Sequence, residues 1–168
     1  MEIERKFLLK ELPDLTDYTC HEIQQAYLCI TPVVRIRRQD DTYYLTYKSG
    51  GMMAREEYNL PLNRTAYYHL LAKSDGNVIT KRRYLIPLTD PRSKTDGYTF
   101  SSELVIELDV FSGKFQGVTL AEVEFSCVED ANEFLPPDWF SEDVTMNPLY
   151  HNSAMSTSDD LCHTQPES

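Results

Sequence analysis

Long apolar runs are absent from this sequence. No stretch approaches the ~18 consecutive apolar residues of a membrane-spanning helix, and no basic segment is followed by an apolar one as in a secretory signal. The composition, with 41% hydrophobic residues, 26% charged residues and six glycines, is typical of a soluble globular protein. We therefore expect a cytoplasmic protein that makes no membrane contact.

The cysteine and histidine spacings of metal or disulfide sites are missing as well. The four cysteines include no Cys-x-x-Cys pair, and a domain of this size needs no disulfide framework, so we predict free thiols. The four histidines form no His-x-x-x-His pattern, and we expect them to be ordinary surface or core residues. The cysteines are Cys20, Cys29, Cys127 and Cys162, and the histidines are His21, His69, His151 and His163.

An excess of positive charge is also lacking. The formal net charge is −11, which argues against a broad surface for DNA or RNA. If the protein binds an anion, its cations must be gathered in one enclosed place. The length of 168 residues suits one compact domain. We predict that this domain spans 1–152 and that 153–168, which is rich in polar residues, forms a flexible tail.

What the sequence does contain is charge at alternate positions, beginning with its first strand. At the period of a β-strand, Glu2, Glu4 and Lys6 share one face, while Ile3 and Phe7 lie on the other. Two neighbouring carboxylates repel unless a cation lies between them, and their oxygens suit a hard divalent metal such as Mg²⁺ or Mn²⁺. Taken alone, this stretch fits an ordinary solvated strand face better than a metal site.

The same alternation of charged and apolar residues recurs along the chain. Further strands are predicted at 22–29, 33–38, 43–48, 55–60, 78–84, 104–110 and 120–125, a helix capped by Asn63 at 64–73, and a long mobile loop at 87–102. Most strands carry charges on one face and apolar residues opposite. The acids on the charged face are Glu2, Glu4, Glu57, Glu107, Asp109, Glu122 and Glu124, and the bases are Lys6, Arg35, Arg37, Lys48, Arg55, Lys81 and Arg83.

Two arrangements satisfy this pattern. A flat antiparallel sheet would cover its apolar face with helices and leave its charged face in water. A barrel of about eight strands would instead turn the charges inward and pack the helices outside. Because enclosing so many ions costs desolvation energy that pairing rarely recovers, the barrel makes sense if its wet interior holds a multiply charged guest. Phosphate chains with bridging metal ions fit that description.

The ordered series of motifs resembles the CYTH family, also called triphosphate tunnel metalloenzymes. The Glu-x-Glu-x-Lys start at 2–6 is weak alone, but the likeness continues to about residue 152. It runs through Arg35-Ile36-Arg37, Thr46-Tyr47-Lys48, Arg55-Glu56-Glu57, Lys81-Arg82-Arg83, 107–111, 121–125, 137–140 and 142–145. The resemblance implies a mostly β (α+β) fold, a closed eight-stranded antiparallel β-barrel tunnel with a charged interior and helices packed outside.

The resemblance also implies site residues. Glu2, Glu4, Glu122 and Glu124 would be metal ligands for two Mg²⁺ or Mn²⁺ ions, with Glu107 and Asp109 as supporting acids. The phosphate oxygens would be held by Lys6, Arg35, Arg37, Lys48, Arg55, Lys81 and Arg83. Glu4 would be catalytic, and one carboxylate among Glu57, Glu107 and Asp109 would accept the water proton, although spacing does not choose between them.

The leading functional hypothesis is metal-dependent hydrolysis of inorganic tripolyphosphate to pyrophosphate and phosphate. A class IV adenylate cyclase and a thiamine triphosphatase remain alternatives within the same tunnel. Outside this class, a non-catalytic polyphosphate-binding module would not need the carboxylate pairs, and a lipocalin-like carrier conflicts with inward charges. The sequence leaves open a monomer or a homodimer, and the 87–102 loop and the tail leave substrate selectivity open.

Overall fold

The computed structural model describes residues 2–51 and 53–158, and its described part is dominated by β-strands. The strands are β1 (Glu2–Leu9), β2 (Thr19–Ile30), β3 (Val33–Gln39), β4 (Thr42–Lys48), β5 (Ala54–Arg55), β6 (Glu57–Leu62), β7 (Asp75–Leu88), β8 (Arg92–Ser93), β9 (Leu104–Ser112), β10 (Thr119–Glu124), β11 (Phe134–Leu135) and β12 (Phe140–Asp143). The α-helices are α1 (Arg64–Leu71), α2 (Val128–Glu133) and α3 (Asn152–Thr157), and short 3-10 turns span Gly113–Phe115 and Pro148–Tyr150.

Ten of the twelve described strands form one antiparallel sheet that curls back on its first strand, and β8 and β11 form a separate pair. The order of the large sheet is β12-β1-β10-β9-β7-β2-β3-β4-β6, and β5 also pairs with β1. Only Glu56 separates β5 from β6, so β4 and β1 are joined through these two strands and the barrel is nearly closed. The antiparallel barrel is confirmed, but the path has nine strands rather than eight, because the short β12 adds to β1.

The outward face of the first strand is apolar and is covered by α2 and its neighbours. Phe7 packs against Phe134 and Phe140 in the main hydrophobic cluster. Arg5 also faces outward, and its Nη1 donates to the carbonyl oxygens of Ala131 and Phe134, each at 2.9 Å. This side chain therefore fastens α2 to the barrel rather than serving the interior.

The helix α1 covers a second part of the outer face. Its N-cap is Asn63, as predicted, and the Asn63 Oδ1 accepts from the Ala66 N–H at 2.8 Å. The fully buried Tyr67 packs with Ala26 and Ile36 of the sheet beneath. Among the helices of the described residues, none has the length and apolar character required to cross a membrane.

Part of the barrel interior is apolar rather than charged. Ile79, Phe111 and Leu120 lie on the inner face, where they pack with Tyr150 and Met155 from the C-terminal segment. The sequence places a flexible tail at 153–168, yet residues up to 157 belong to α3. This short helix packs on the barrel because Met155 is fully buried, although most of its neighbours in sequence are polar. Residues 159–168 lie outside the described residues.

The loop predicted at 87–102 is held against α2. Its β8 pairs with β11, and the hydroxyl of Tyr98 and the backbone N–H of Ser101 both donate to the buried Asp130, at 2.7 and 3.1 Å. The three described cysteines are free, as predicted, and Cys162 lies outside the described residues.

Candidate active site

A cavity of about 500 Å³ lies inside the barrel and is lined mainly by charged side chains. The antiparallel register brings these charged side chains together, because residues paired across neighbouring strands point to the same face of the sheet. Lys6 lies opposite Glu122, and Glu122 lies opposite Glu107. The charged interior is therefore confirmed. The predicted site residues that line the cavity are Glu2, Glu4, Lys6, Arg35, Arg37, Lys48, Arg55, Glu57, Arg83, Glu107, Glu122 and Glu124.

Arg83 of β7 is the centre of one ion-pair network. Its Nη2 donates to Glu122 at 2.6 Å, its Nη1 donates to Glu107, and Glu122 also accepts from Lys6 at 2.8 Å. Burial disfavours the charged forms, but the opposite charges outweigh it. They raise the pKa of Arg83 well above its usual range and lower the pKa of Glu122 well below its own. Both groups are therefore ionised and already partnered within the protein.

Two predicted site residues lie behind the cavity wall. Lys81 and Asp109 are 1% and 0% exposed and do not line the cavity. Lys81 donates to Asp109, which also accepts from Nε and Nη2 of Arg83, each at 2.7 Å. Burial lowers the pKa of Lys81 to about 8, despite the opposing charge of Asp109. A proton acceptor or phosphate ligand needs access that this arrangement does not give; Asp109 instead holds Arg83, and Lys81 holds Asp109.

Glu2 of β1 is the centre of a second network. Its oxygens accept from Lys48 at 2.6 and 2.8 Å and from Nε of Arg55 at 2.8 Å. Arg55 also donates to Glu4 at 3.1 Å, and Lys48 lies 3.1 Å from Glu57. Burial raises the pKa of Glu57, but its contacts with Glu2 and Lys48 hold that pKa at about 2. Glu57 is therefore a weak proton acceptor at neutral pH.

Arg35 and Arg37 of β3 differ from the other cations of the cavity. Neither has a carboxylate partner among the described residues, although both are buried. Arg35 donates to Thr46 at 3.3 Å, and Arg37 donates to Gln25 at 2.9 Å and to Tyr44 at 3.3 Å. Burial and the neighbouring Arg37 lower the pKa of Arg35. This arginine pair is therefore the uncompensated positive charge of the cavity and suits an anionic ligand.

Glu124 of β10 has the opposite character. It has no cationic partner among the described residues, and it lies opposite Glu4 of β1 in the register. Although Glu124 is exposed, partial desolvation of its carboxylate raises its pKa, and the nearby carboxylates of Glu2, Glu107 and Glu57 raise it further. The described residues contain no ready cluster of three His, Cys, Asp or Glu side chains around a metal position. A carboxylate surrounded by carboxylates nevertheless fits a divalent cation.

The structure adds residues that charge alternation did not identify. Tyr27, Tyr44, Asn59 and His151 line the cavity. His151 was expected to be an ordinary residue, but it is buried, its Nε2 lies 3.0 Å from the carbonyl oxygen of Thr145, and burial lowers its pKa. The strand pattern of β2 places Tyr27 on the inner face. The sequence prediction of the site was based on charged residues, so it did not include this uncharged side chain. His151 comes from a segment without a periodic pattern.

Comparison with known proteins agrees with this geometry. The model of the CYTH domain matches residues 1–138. The chain belongs to the CYTH family. An inorganic triphosphatase of Nitrosomonas europaea is 35% identical over 161 residues, covering 94% of this chain and 97% of the relative. An inorganic triphosphatase of Acetivibrio thermocellus is 31% identical over 158 residues, covering 90% of both proteins.

A solved structure shares the fold of this CYTH chain. The crystal structure of the inorganic triphosphatase NE1496 superposes with a TM-score of 0.67 at 34% identity and covers 94% of this chain and 95% of that one. The membership of the chain in this family, which the sequence motifs indicated, is thereby established.

Proposed function

We propose that this protein hydrolyses inorganic triphosphate to pyrophosphate and phosphate with the help of divalent metal ions. The observation that carries the proposal is the uncompensated pair Arg35 and Arg37 in a cavity whose other cations are already partnered by carboxylates. A linear triphosphate is a small, multiply charged anion that matches such a site. The names of the two curated relatives support the same substrate.

In this proposal, the β3 arginines bind the substrate first and the paired cations follow. Arg35 and Arg37 give up no carboxylate when they contact phosphate oxygens. Lys6, Lys48 and Arg55 would exchange part of their contact with carboxylates for contact with phosphate. Such fixed positive groups stabilise the charge that develops on the transferred phosphoryl group, so catalysis consists mainly of positioning and electrostatics.

Metal dependence is part of the proposal. Glu2, Glu4, Glu122 and Glu124 would hold Mg²⁺ or Mn²⁺, and the unpartnered Glu124 opposite Glu4 supports this assignment. A bound divalent ion would lower the pKa of a water molecule and neutralise phosphate oxygens. Glu2 and Glu122 are ion-paired in the structure. We propose that the phosphate oxygens of the substrate take over their cationic partners, which leaves the two carboxylates available to bind the metal.

Glu107 is the strongest candidate for accepting the proton of the attacking water. It lines the cavity, and its side chain is 35% exposed. Its two competitors are less suited, because Asp109 is fully enclosed and the pKa of Glu57 is about 2.

A substrate panel tests the proposal. Purified protein is incubated separately with tripolyphosphate, ATP and thiamine triphosphate, and both orthophosphate and cyclic AMP are measured. We expect rapid orthophosphate release from tripolyphosphate, loss of that activity in EDTA, and recovery on addition of Mg²⁺ or Mn²⁺. Cyclic AMP formation, or binding of tripolyphosphate without turnover, would contradict the proposal and favour a cyclase or a binding module.

One observation favours an organic triphosphate as a second candidate substrate. A further cavity of about 440 Å³ adjoins the β3 arginines, and Tyr43, Tyr44 and Pro61 line it. Aromatic and proline side chains could contact the base of a nucleoside triphosphate or the rings of thiamine triphosphate. The ratio of kcat/KM between these compounds and tripolyphosphate distinguishes the two candidates.

A further inference from the structure

Gln25 lies at the centre of β2, directly opposite Arg37 of β3, and is fully buried. Its Oε1 accepts from the Nε of Arg37 at 2.9 Å. Because a guanidinium N–H can only donate, the oxygen of the Gln25 amide must face Arg37 and its NH₂ group must point elsewhere. The orientation of the amide is therefore fixed by its partner.

The other end of the Gln25 amide is left unsatisfied. Its Nε2 is buried and has no hydrogen-bond partner among the described residues. A buried donor without a partner destabilises a fold. Methionine would fill similar space without this donor, and glutamate would offer Arg37 an ion pair. Stability alone therefore does not explain an amide at this position.

Charge does explain the amide. Arg37 and its neighbour Arg35 are held by neutral oxygens, whereas other cations of the barrel interior have carboxylate partners: these are Lys6, Lys48, Arg55, Lys81 and Arg83. A neutral acceptor fixes the direction of a guanidinium group and leaves its charge available. A carboxylate in the same place would fix the group equally well but would cancel that charge.

We propose that Gln25 is a positioning residue for polyphosphate binding, which holds Arg37 through a neutral hydrogen bond so that its full charge acts on the anion. The inference rests on the proposed function, since it presumes that a polyphosphate occupies the cavity. Gln25 does not line the cavity and acts only through Arg37.

The decisive variant is Gln25→Glu, which introduces a carboxylate of nearly the same shape. We expect the Kd for tripolyphosphate, measured by calorimetry in EDTA to prevent turnover, to rise at least about tenfold, because the new ion pair cancels one binding charge. We expect the Tm to stay equal or rise, because the repulsion between Arg35 and Arg37 is relieved. Weaker binding together with undiminished stability is a result that a purely structural role would not produce.

Two further variants complete the experiment. Gln116→Glu makes the same charge change at an exposed position outside the site, and its Kd should equal that of the wild type. Gln25→Met removes the hydrogen bond but adds no charge. We expect a rise of about threefold in its Kd with an unchanged Tm, because Arg37 loses its fixed direction.

The outcomes separate this inference from the proposed function. If wild-type protein neither binds tripolyphosphate in EDTA nor releases orthophosphate from it with added Mg²⁺ or Mn²⁺, the proposed function fails. If wild-type protein binds it and Gln25→Glu binds it equally well, or if its affinity and Tm fall together, the role of Gln25 is refuted alone. Should Gln25→Glu not fold, Gln25→Met decides the matter, and an unchanged Kd in that variant refutes the inference.

Discussion

Glu4 and Glu124 lie directly opposite each other on the paired strands β1 and β10. The Glu4 carboxylate accepts from Arg55 at 3.1 Å, while Glu124 has no cationic partner among the described residues. Like charges on directly opposed residues of an antiparallel pair are destabilising. The pair is therefore a place where stability and the proposed metal binding make opposite demands.

Substitution of the first carboxylate tests the metal assignment. We expect Glu4→Gln to abolish turnover of tripolyphosphate while the protein keeps its fold, because a neutral amide is a poor ligand for a hard divalent ion. Orthophosphate release and circular dichroism measure the two effects. The metal-site argument would be lost if the variant showed near-normal activity.

Substitution of the second carboxylate should separate function from stability. The pKa of Glu124 is raised in the folded state, so its ionised form destabilises the fold as the pH rises through that pKa. We expect Glu124→Gln to lose turnover and yet to unfold at a Tm about 1–3 °C higher at pH 7, a small gain because the side chain is exposed. The gain should vanish near pH 3, where Glu124 is protonated in the wild type. An equal gain at both values of pH would contradict the assignment.

The sequence was sufficient for the parts of the site that follow from local periodicity. Alternation placed Glu2, Glu4 and Lys6 on one face without knowledge of any neighbour. It could not show that Asp109 is enclosed, because that depends on the register between β7 and β9. Nor could it find His151, which tertiary packing alone brings to the cavity.

The dependence on tertiary contacts also explains where the fold differs from the prediction. The four residues Phe140–Asp143 are too few to show a strand period, so β12 was missed and the strand count was too low. Residues Asn152–Thr157 are mainly polar, and the burial of Met155 depends on contacts distant in sequence. Local patterns predict elements, whereas pairing partners and burial require the assembled barrel.

Arg83 provides a test of the buried network. We expect Arg83→Met to destabilise the fold by about 3–5 kcal/mol, because it leaves Asp109 and Glu122 buried with too little compensation. Urea unfolding measures the change. Arg82→Met is the matched control, since Arg82 is 62% exposed and its contact with Glu22 is long at 3.6 Å, so its cost should stay below about 0.5 kcal/mol. Similar costs for both variants would contradict this account.

Glu57 should contribute to stability in a defined pH range. Its folded pKa of about 2 lies below the ordinary value of 4.5, so its stabilisation is complete above pH 4.5 and is lost as the pH falls towards 2. We expect Glu57→Gln to be less stable than wild type by about 2 kcal/mol at pH 7 and by much less at pH 2.5. Unfolding by urea at several pH values measures the difference. A gap between the two proteins that does not depend on pH would show that Glu57 acts through packing instead.

Arg35 and Arg5 should show opposite phenotypes although both are arginines on strands of one barrel. Arg35 is buried without a carboxylate partner, so Arg35→Met should leave the Tm unchanged or higher while the KM for tripolyphosphate rises about tenfold or more. Arg5 lies outside the cavity and binds Asp143 at 2.6 Å as well as two backbone carbonyls. Arg5→Met should therefore cost about 2–3 kcal/mol of stability with KM nearly unchanged. Thermal unfolding and steady-state kinetics on both variants check the contrast, and a rise of KM in Arg5→Met alone would reverse the assignment of inner and outer faces.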